Sequence, residues 1–396
     1  MKIKLSYRNV SQYLLDAGIC QGRDLESMMT ALKPSKSKNF NLIISLPRSC
    51  KLVVKQERND ENRDTTNRIC NEWRLHNFLR SCPDLSYTSW LAPELLHFDE
   101  SNSILIYKCP TDYIDLESYY RNQKAFPTAI AELVGTTLAT LHRETLNSRD
   151  CYNFMTEAVE GQFRYQLPYP GHLLDRIEPE TLSDFPSPGY KFLSFYQRYE
   201  SLRAAVAELV FHHQRCCLTH NSPQLNNIWI ATEWERLLSK TKHSDESIIR
   251  LIDWEYCIWG DPAFDLGIAI AGYLLLWLNS LIVHPAIELE KSLQLATIPL
   301  EVIQPSTVAL VRAYISSFPK ILEDRPDFLN RVIQFAGLAL IYQLLAMIQY
   351  QKDFNNRGIC MLQIAKGLLC RPETSFISVF GVTELALIEL IPYSIK

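Results

Sequence analysis

Over roughly the first quarter of the chain, apolar positions come in short runs separated by polar clusters. Leu42 to Leu46 and Leu52 to Lys55 read as two strands, with Pro47-Arg48-Ser49 as the turn between them. Leu95 to Phe98 and Ile104 to Lys108 read as two more, joined by Asp99-Glu100-Ser101-Asn102, and Met28 to Leu32 as a further strand. Two helices accompany them. One is short, Asn9 to Leu15; the other carries Ile69, Glu72, Trp73, His76 and Leu79 at helical spacing after the charged run Glu57 to Arg68.

Beyond Lys108 the period lengthens. Ile130, Leu133, Val134, Leu138 and Leu141 predict an amphipathic helix starting at Pro127, because proline suits the first helical position. Prolines 168, 170, 179, 186 and 188 make Arg149 to Tyr190 loop-rich, and Phe192 to His212 is again helical. Asn227 to Ala231 and Ile248 to Asp253 predict a hairpin with a long insertion, Glu233 to Ser247. Pro262 to Leu369 is helical in period, and the apolar tail from Thr374 has no clear form. The expected fold class is α+β and bilobal: a small strand-rich lobe over residues 1–108 and a large helical lobe over 109–396.

Composition narrows the function. Of 396 residues, 40 are Lys or Arg and 44 Asp or Glu, a formal net charge of −4, so no basic excess exists to hold nucleic acid. The 11 cysteines include no C-x-x-C pair, which argues against a secreted disulfide framework and against zinc, and suggests reduced thiols in a cytoplasmic protein. The first residues, Met1 to Arg8, have no apolar run behind them and do not read as a signal peptide. Leu266 to Val283 is long and apolar enough to be a marginal membrane-span candidate, but a buried helix is the preferred reading and no membrane span is expected.

The candidate chemistry is spread along the chain. Lys55 closes the run Leu52-Val53-Val54, and Glu72 follows on a helix; a strand lysine paired to a helix glutamate is one way to hold nucleotide phosphates. Downstream come Thr219-His220-Asn221-Ser222-Pro223-Gln224-Leu225-Asn226-Asn227, then Leu251-Ile252-Asp253-Trp254-Glu255, then Gly260-Asp261-Pro262-Ala263-Phe264-Asp265-Leu266. Together these segments resemble the aminoglycoside phosphotransferase and choline kinase-like family, over roughly Asn9 to Tyr273. That family's catalytic loop reads His-Gly-Asp-x-x-x-x-Asn, its metal aspartate sits in Ile-Asp-Trp/Phe-Glu, and Gly-Asp-Pro-x-x-Asp-Leu follows.

The resemblance implies a protein-kinase-like fold with ATP, or another nucleotide, and Mg²⁺ as cofactors. It makes Asn227 and Asp253 the metal ligands, Lys55 the phosphate cation held by Glu72, and Tyr107 to Pro110, with Lys108, the hinge against the adenine. Asn39 corresponds to the end of the phosphate loop. His220 shapes the catalytic loop and Asp265 braces it. Asp261 before Pro262 also reads as a plain helix cap.

Two departures matter. The catalytic aspartate position holds Ser222, preceded by Asn221 where the family has glycine, and a serine hydroxyl is no general base near neutral pH. The phosphate-loop stretch, Lys33 to Asn39, contains no glycine; Lys33, Lys36 and Lys38 could add charge, but the preferred reading of these lysines is a solvated hairpin tip. The first expectation is therefore a nucleotide-binding pseudokinase that acts through its nucleotide or a protein partner. The alternative is an active ATP-dependent kinase on a hydroxyl of a small molecule, with its base relocated, for example to His172 or Asp175. A structural module without nucleotide is the third reading, which the retained Lys55, Glu72, Asn227 and Asp253 oppose.

Overall fold

The computed structural model describes residues 3–21, 33–34, 40–46, 50–57, 68–82, 85, 91–110, 112–156, 187–240, 247–283, 287 and 289–390. In chain order the elements are α1 (Val10–Asp16), β1 (Lys33–Pro34), β2 (Phe40–Leu46), β3 (Cys50–Gln56), α2 (Arg68–Ser81), β4 (Glu94–Asp99), β5 (Ile104–Pro110) and β6 (Tyr113–Asp115). Helices α3 (Leu116–Gln123), α4 (Thr128–Thr145), α5 (Arg149–Thr156), α6 (Ser187–Arg198) and α7 (Glu200–Phe211) follow. Then come β7 (Cys217–Thr219), β8 (Ile228–Ala231), α8 (Trp234–Lys240), β9 (Ile249–Leu251) and β10 (Ile258–Gly260). The chain continues as α9 (Pro262–Asn279), α10 (Leu289–Gln294), α11 (Leu300–Ser317), α12 (Lys320–Asp324), α13 (Phe328–Ala346), α14 (Asn356–Cys370), α15 (Pro372–Phe380) and α16 (Glu384–Glu389). The fold class is α+β, with small antiparallel sheets early and a large helical part late.

The chain divides into two compact units. One comprises Met1–Ser118, Arg149–Arg164 and Asn226–Ile258; the other comprises Tyr119–Ser148, Tyr165–Leu225 and Trp259–Lys396. The first holds a sheet of order β1-β2-β3-β5-β4, antiparallel throughout, with β6-β8-β9 as a smaller sheet. Alternation sorts the side chains of the larger sheet. Phe40, Leu42, Ile44, Leu52, Val54, Ile104 and Ile106 form one buried face, covered by Leu5, Val10 and Leu14 of the N-terminal segment. The intervening residues, Val53, Lys55, Leu105 and Tyr107, point the other way. Gln56 fastens the N-terminal segment: its Oε1 accepts from Leu5 N at 2.7 Å and its Nε2 donates to Ile3 O at 2.7 Å.

The second unit is helical. α9 is apolar on nearly every side, and α13 packs along it. The close approach occurs at Gly267, where a Cβ would meet Ala336 N at 2.8 Å and Val332 O at 2.9 Å. Among the described residues, two helical segments are long and apolar enough to cross a membrane, Pro262–Asn279 and Phe328–Gln351, with 89% and 61% of their apolar windows buried in the fold. Burial of that extent makes the first a core helix. The second was not singled out by the sequence pattern.

Several boundaries differ from expectation. Pro127 has extended angles (φ −60°, ψ 125°), so it flanks α4 and Thr128 opens the helix. The single helix expected over Phe192 to His212 is two, broken at Tyr199 (φ −100°, ψ 80°). The expected apolar helix to Val283 stops at Asn279 with Ser280 as its cap. The hairpin insertion contains α8, and the tail beyond Thr374 continues as helix. Nine cysteines among the described residues are free thiols. The strand expected at Met28 to Leu32 lies outside the described residues.

Two stability predictions follow from this packing. Gly267→Ala should cost about 1–3 kcal/mol in urea unfolding, since the new methyl meets backbone that cannot rotate away. Asp99 accepts from Asn102 N (3.0 Å), Asn102 Nδ2 (2.7 Å) and Tyr13 Oη (2.9 Å). Burial opposes the charge, but these donors outweigh it and hold the carboxyl below its ordinary 3.8. A depressed carboxyl stabilises the fold above its unfolded value and loses that contribution as pH falls through its folded value. Asp99→Asn should therefore lower the urea midpoint near neutral pH, by about 1 kcal/mol in free energy. Its deficit should shrink steadily below pH ~4, which parallel titrations of the two proteins would read.

Candidate nucleotide site

Lys55 reaches its place through strand alternation: Val54 faces the apolar layer, so Lys55 faces α2. There its Nζ lies 2.7 Å from Glu72 Oε2 and also pairs with Asp253 Oδ1. Lys55 and Glu72 are buried, whereas the Asp253 side chain keeps 24% of its surface exposed. Burial alone would push the ammonium down; the facing Asp253 and Glu72 outweigh it and hold the Lys55 pKa well above the lysine range. Tyr107 lies on the same sheet face, its ring centroid 5.5 Å from Lys55 Nζ.

Asp253 follows β9 by two residues and has φ +69°, the left-handed region. Aspartate tolerates this conformation better than most residues because its short polar side chain bonds locally. The turn is tied down twice. Trp254 N donates to Glu72 Oε1 at 3.3 Å, and Ile252 N donates to Asn227 O at 3.0 Å. Thus α2, β3 and the 253 turn meet at one carboxylate, Glu72. Asn227, in a 3₁₀ turn over Leu225–Asn227, is buried and its carbonyl is tied to the strand that delivers Asp253.

Glu255 belongs to the same cluster, a role that its sequence motif does not imply. Burial pushes its carboxyl up to about 8, and the Asp253 and Glu72 charges add to that against Lys55 and Arg68. Three carboxylates therefore share two nearby cations. For the magnesium that the sequence motif implies, the fitting feature here is Asp253, which offers a partly exposed hard oxygen. Among the described residues no group of three or more His, Cys, Asp or Glu is arranged to hold a metal by itself.

Tyr107 and Lys108 are differently placed. Both lie inside β5, with β3 on one side and β4 on the other, so their peptide groups face paired strands. Any contact of theirs with a base would come from the side chains. Lys108 is exposed and pairs with Glu94 at 3.8 Å. Asn39, His172 and Asp175 lie outside the described residues, as does most of the glycine-free stretch after Pro34.

The remaining predicted residues belong to the second unit. Asp265, fully buried on α9, accepts from His220 N through Oδ2 and from Asn221 N through Oδ1, each at 2.7 Å. Ser222 N donates to His220 Nδ1 at 3.3 Å. Asn221 has φ +61°. A left-handed position explains why asparagine can stand where the related motif has glycine, since asparagine is the residue next best suited to it. Asp261 does cap α9, accepting from Ala263 N at 3.0 Å. It also makes a bidentate, buried pair with Arg325 (2.7 and 3.2 Å) and accepts from Gln214 N. Nothing in the sequence pattern pointed to Arg325.

No protein-family model matches the sequence, and no curated protein matches it. Solved structures do. An ethanolamine kinase of Plasmodium vivax superposes with a TM-score of 0.53 at 15% identity, over 92% of this chain and 90% of that one. A choline/ethanolamine kinase family protein of Mesorhizobium loti gives a TM-score of 0.51 at 15% identity, over 95% of this chain and 100% of that one. The chain has a protein-kinase-like fold of the choline/ethanolamine kinase type. The likeness is one of architecture, and it extends across almost the whole length of both chains.

Lys55→Met should destabilise the protein by roughly 3–5 kcal/mol in urea titration, because it strands Glu72 as a buried, unpaired charge. Lys55→Met combined with Glu72→Leu should recover part of that loss, since the desolvation penalty leaves with the pair.

Proposed function

We propose that this chain binds a nucleotide through Lys55, Glu72 and Asp253, with Asn227 and Asp253 as ligands for magnesium. Phosphotransfer is weak or lost, because Ser222 stands where the related motif carries aspartate. The observation that carries this reading is the ammonium of Lys55, buried and pinned between Glu72 and a partly exposed Asp253. A charge arrangement this costly to desolvate is rarely kept without a use, and pairing with phosphate and metal is the use its geometry suits. When bound, Mg²⁺ would supply positive charge between phosphate oxygens. Lys55 would turn its remaining donor toward a phosphate, Glu72 would keep it in place, and Asp253 would offer oxygen to the ion. Such a protein acts by what its nucleotide-bound form recognises, a protein partner among them.

The second reading is an active kinase. It draws on the turn at Ser222, where Asp265 holds the amides of the two preceding residues, His220 and Asn221, as a working loop would be held. Under this reading the acceptor is a small hydroxyl compound. An amino alcohol is the first to try, given the activity named for the Plasmodium vivax protein.

Thermal-shift titration with ATP and Mg²⁺, beside an ATPase assay and an acceptor panel, separates the readings. Stabilisation by MgATP without turnover supports the first; turnover supports the second; neither effect removes both. Asp253→Ala should abolish the Mg²⁺-dependent part of the shift. Ser222→Asp should raise any phosphotransfer by up to about 10²–10⁴-fold, the usual contribution of a positioned base. Wild-type turnover that survives Ser222→Ala would instead place the base elsewhere.

A further inference from the structure

The second unit contains a buried polar chain that leads to the Ser222 turn. It begins where α4 and α11 approach closely, at Gly135. A Cβ there would lie 2.2 Å from Leu310 O and 3.1 Å from Tyr314 N, so only glycine allows the approach. About two turns along α4 from Gly135 stands His142. Tyr314 Oη is 2.9 Å from His142 Nδ1, and His142 Nε2 is 3.2 Å from Asp265 Oδ2. All three side chains are fully buried. Asp265 in turn takes the His220 and Asn221 amides. The same helix also holds the strand entering the turn, since Thr145 Oγ1 accepts from Leu218 N at 3.0 Å.

The donors and acceptors in this chain can be assigned. The two backbone amides can only donate, so Asp265 acts as a carboxylate acceptor. Burial, together with Cys217, Cys216 and Asp265 nearby, holds the Tyr314 phenol well above its ordinary pKa, so it keeps its proton and can donate. A hydroxyl that donates to Nδ1 leaves the imidazole proton on Nε2, facing Asp265. Asp265 then receives three donors with fixed directions, and its two oxygens cannot exchange roles without breaking one.

We propose that Tyr314 and His142 are positioning residues for the Ser222 turn: Tyr314 fixes His142 as the Nε2–H tautomer, and that N–H holds Asp265 in the orientation that grips His220 and Asn221. Its bearing on phosphotransfer rests on the proposed function; the tautomer and the grip do not. Neither residue was indicated by sequence. A lone histidine on an apolar helix face reads as core, and Tyr314 lies beyond the segment in which the family resemblance was traced.

The test uses the full chain labelled with ¹⁵N-histidine, in mildly alkaline buffer without nucleotide. The His142 ring should show a protonated Nε2 and a bare Nδ1; the opposite tautomer would overturn the proposal. Tyr314→Phe is nearly isosteric and should mix the tautomers. It should also speed hydrogen exchange at the His220 and Asn221 amides by about tenfold or more relative to other amides of the unit. His142→Gln can present its amide N–H close to where Nε2 stood, so it should keep most of that protection, whereas His142→Leu should lose it. Equal protection in the Gln and Leu variants would mean that His142 only fills space, and the proposal would fail. A MgATP thermal shift on the same samples keeps the two claims apart. Its absence in the wild type counts against the proposed function and leaves the tautomer result standing.

Discussion

A lysine ammonium buried among carboxylates constrains the first unit more than any other contact. Lys55 cannot leave water unless its charge is answered, and Glu72 and Asp253 answer it. The requirement fixes the facing of β3, because a slip by one residue would turn Lys55 into the apolar layer that Val54 occupies. It fixes the rotation of α2, whose buried face includes Glu72 among Ile69, Leu75 and Leu79. It also fixes the turn after β9, where Asp253 accepts a left-handed backbone and Trp254 N reaches the second oxygen of Glu72. Three segments far apart in sequence are thereby set by one charge.

The second unit solves a related problem with a buried carboxylate. Asp265 is stable without a cation because directed donors surround it: two amides from the turn and the His142 ring. Asp261, at the head of the same helix, is answered differently, by the guanidinium of Arg325 in a bidentate pair. Both depend on α9, an apolar helix that can stay rigid because α13 meets it at the bare backbone of Gly267. The consequence for Ser222 is that its backbone is well ordered even though its side chain is a poor base.

Much of this could be read from the chain. The runs around Leu42, Val53 and Ile104 and the helical period after Pro262 gave the element types, because burial of one face imprints a period on sequence. The Lys55–Glu72 pairing was legible from a charge closing an apolar strand and a second charge on an apolar helix face. The exact limits of elements were less so. Pro127 is compatible with the first helical position and with the residue before it, and only the backbone angles distinguish them. Asn221 looked like the loss of a glycine, whereas its φ shows the same backbone demand met by another residue.

By itself, then, the sequence determined the main strands of the first quarter and the helical period after Pro262, the charge that must be neutralised and the residues able to do it, since these depend on local period and on chemical type. Tertiary structure alone decided which partners meet. Arg325 could pair with any of several acids, and His142 is one histidine on a buried helix. Tyr314 is an aromatic among many, and Glu255 is an ordinary acid until burial and two neighbouring carboxylates push it up to about 8. Each of these roles arises from distance and from the loss of water around the group. Both are properties of chain segments brought together, and no single segment carries them.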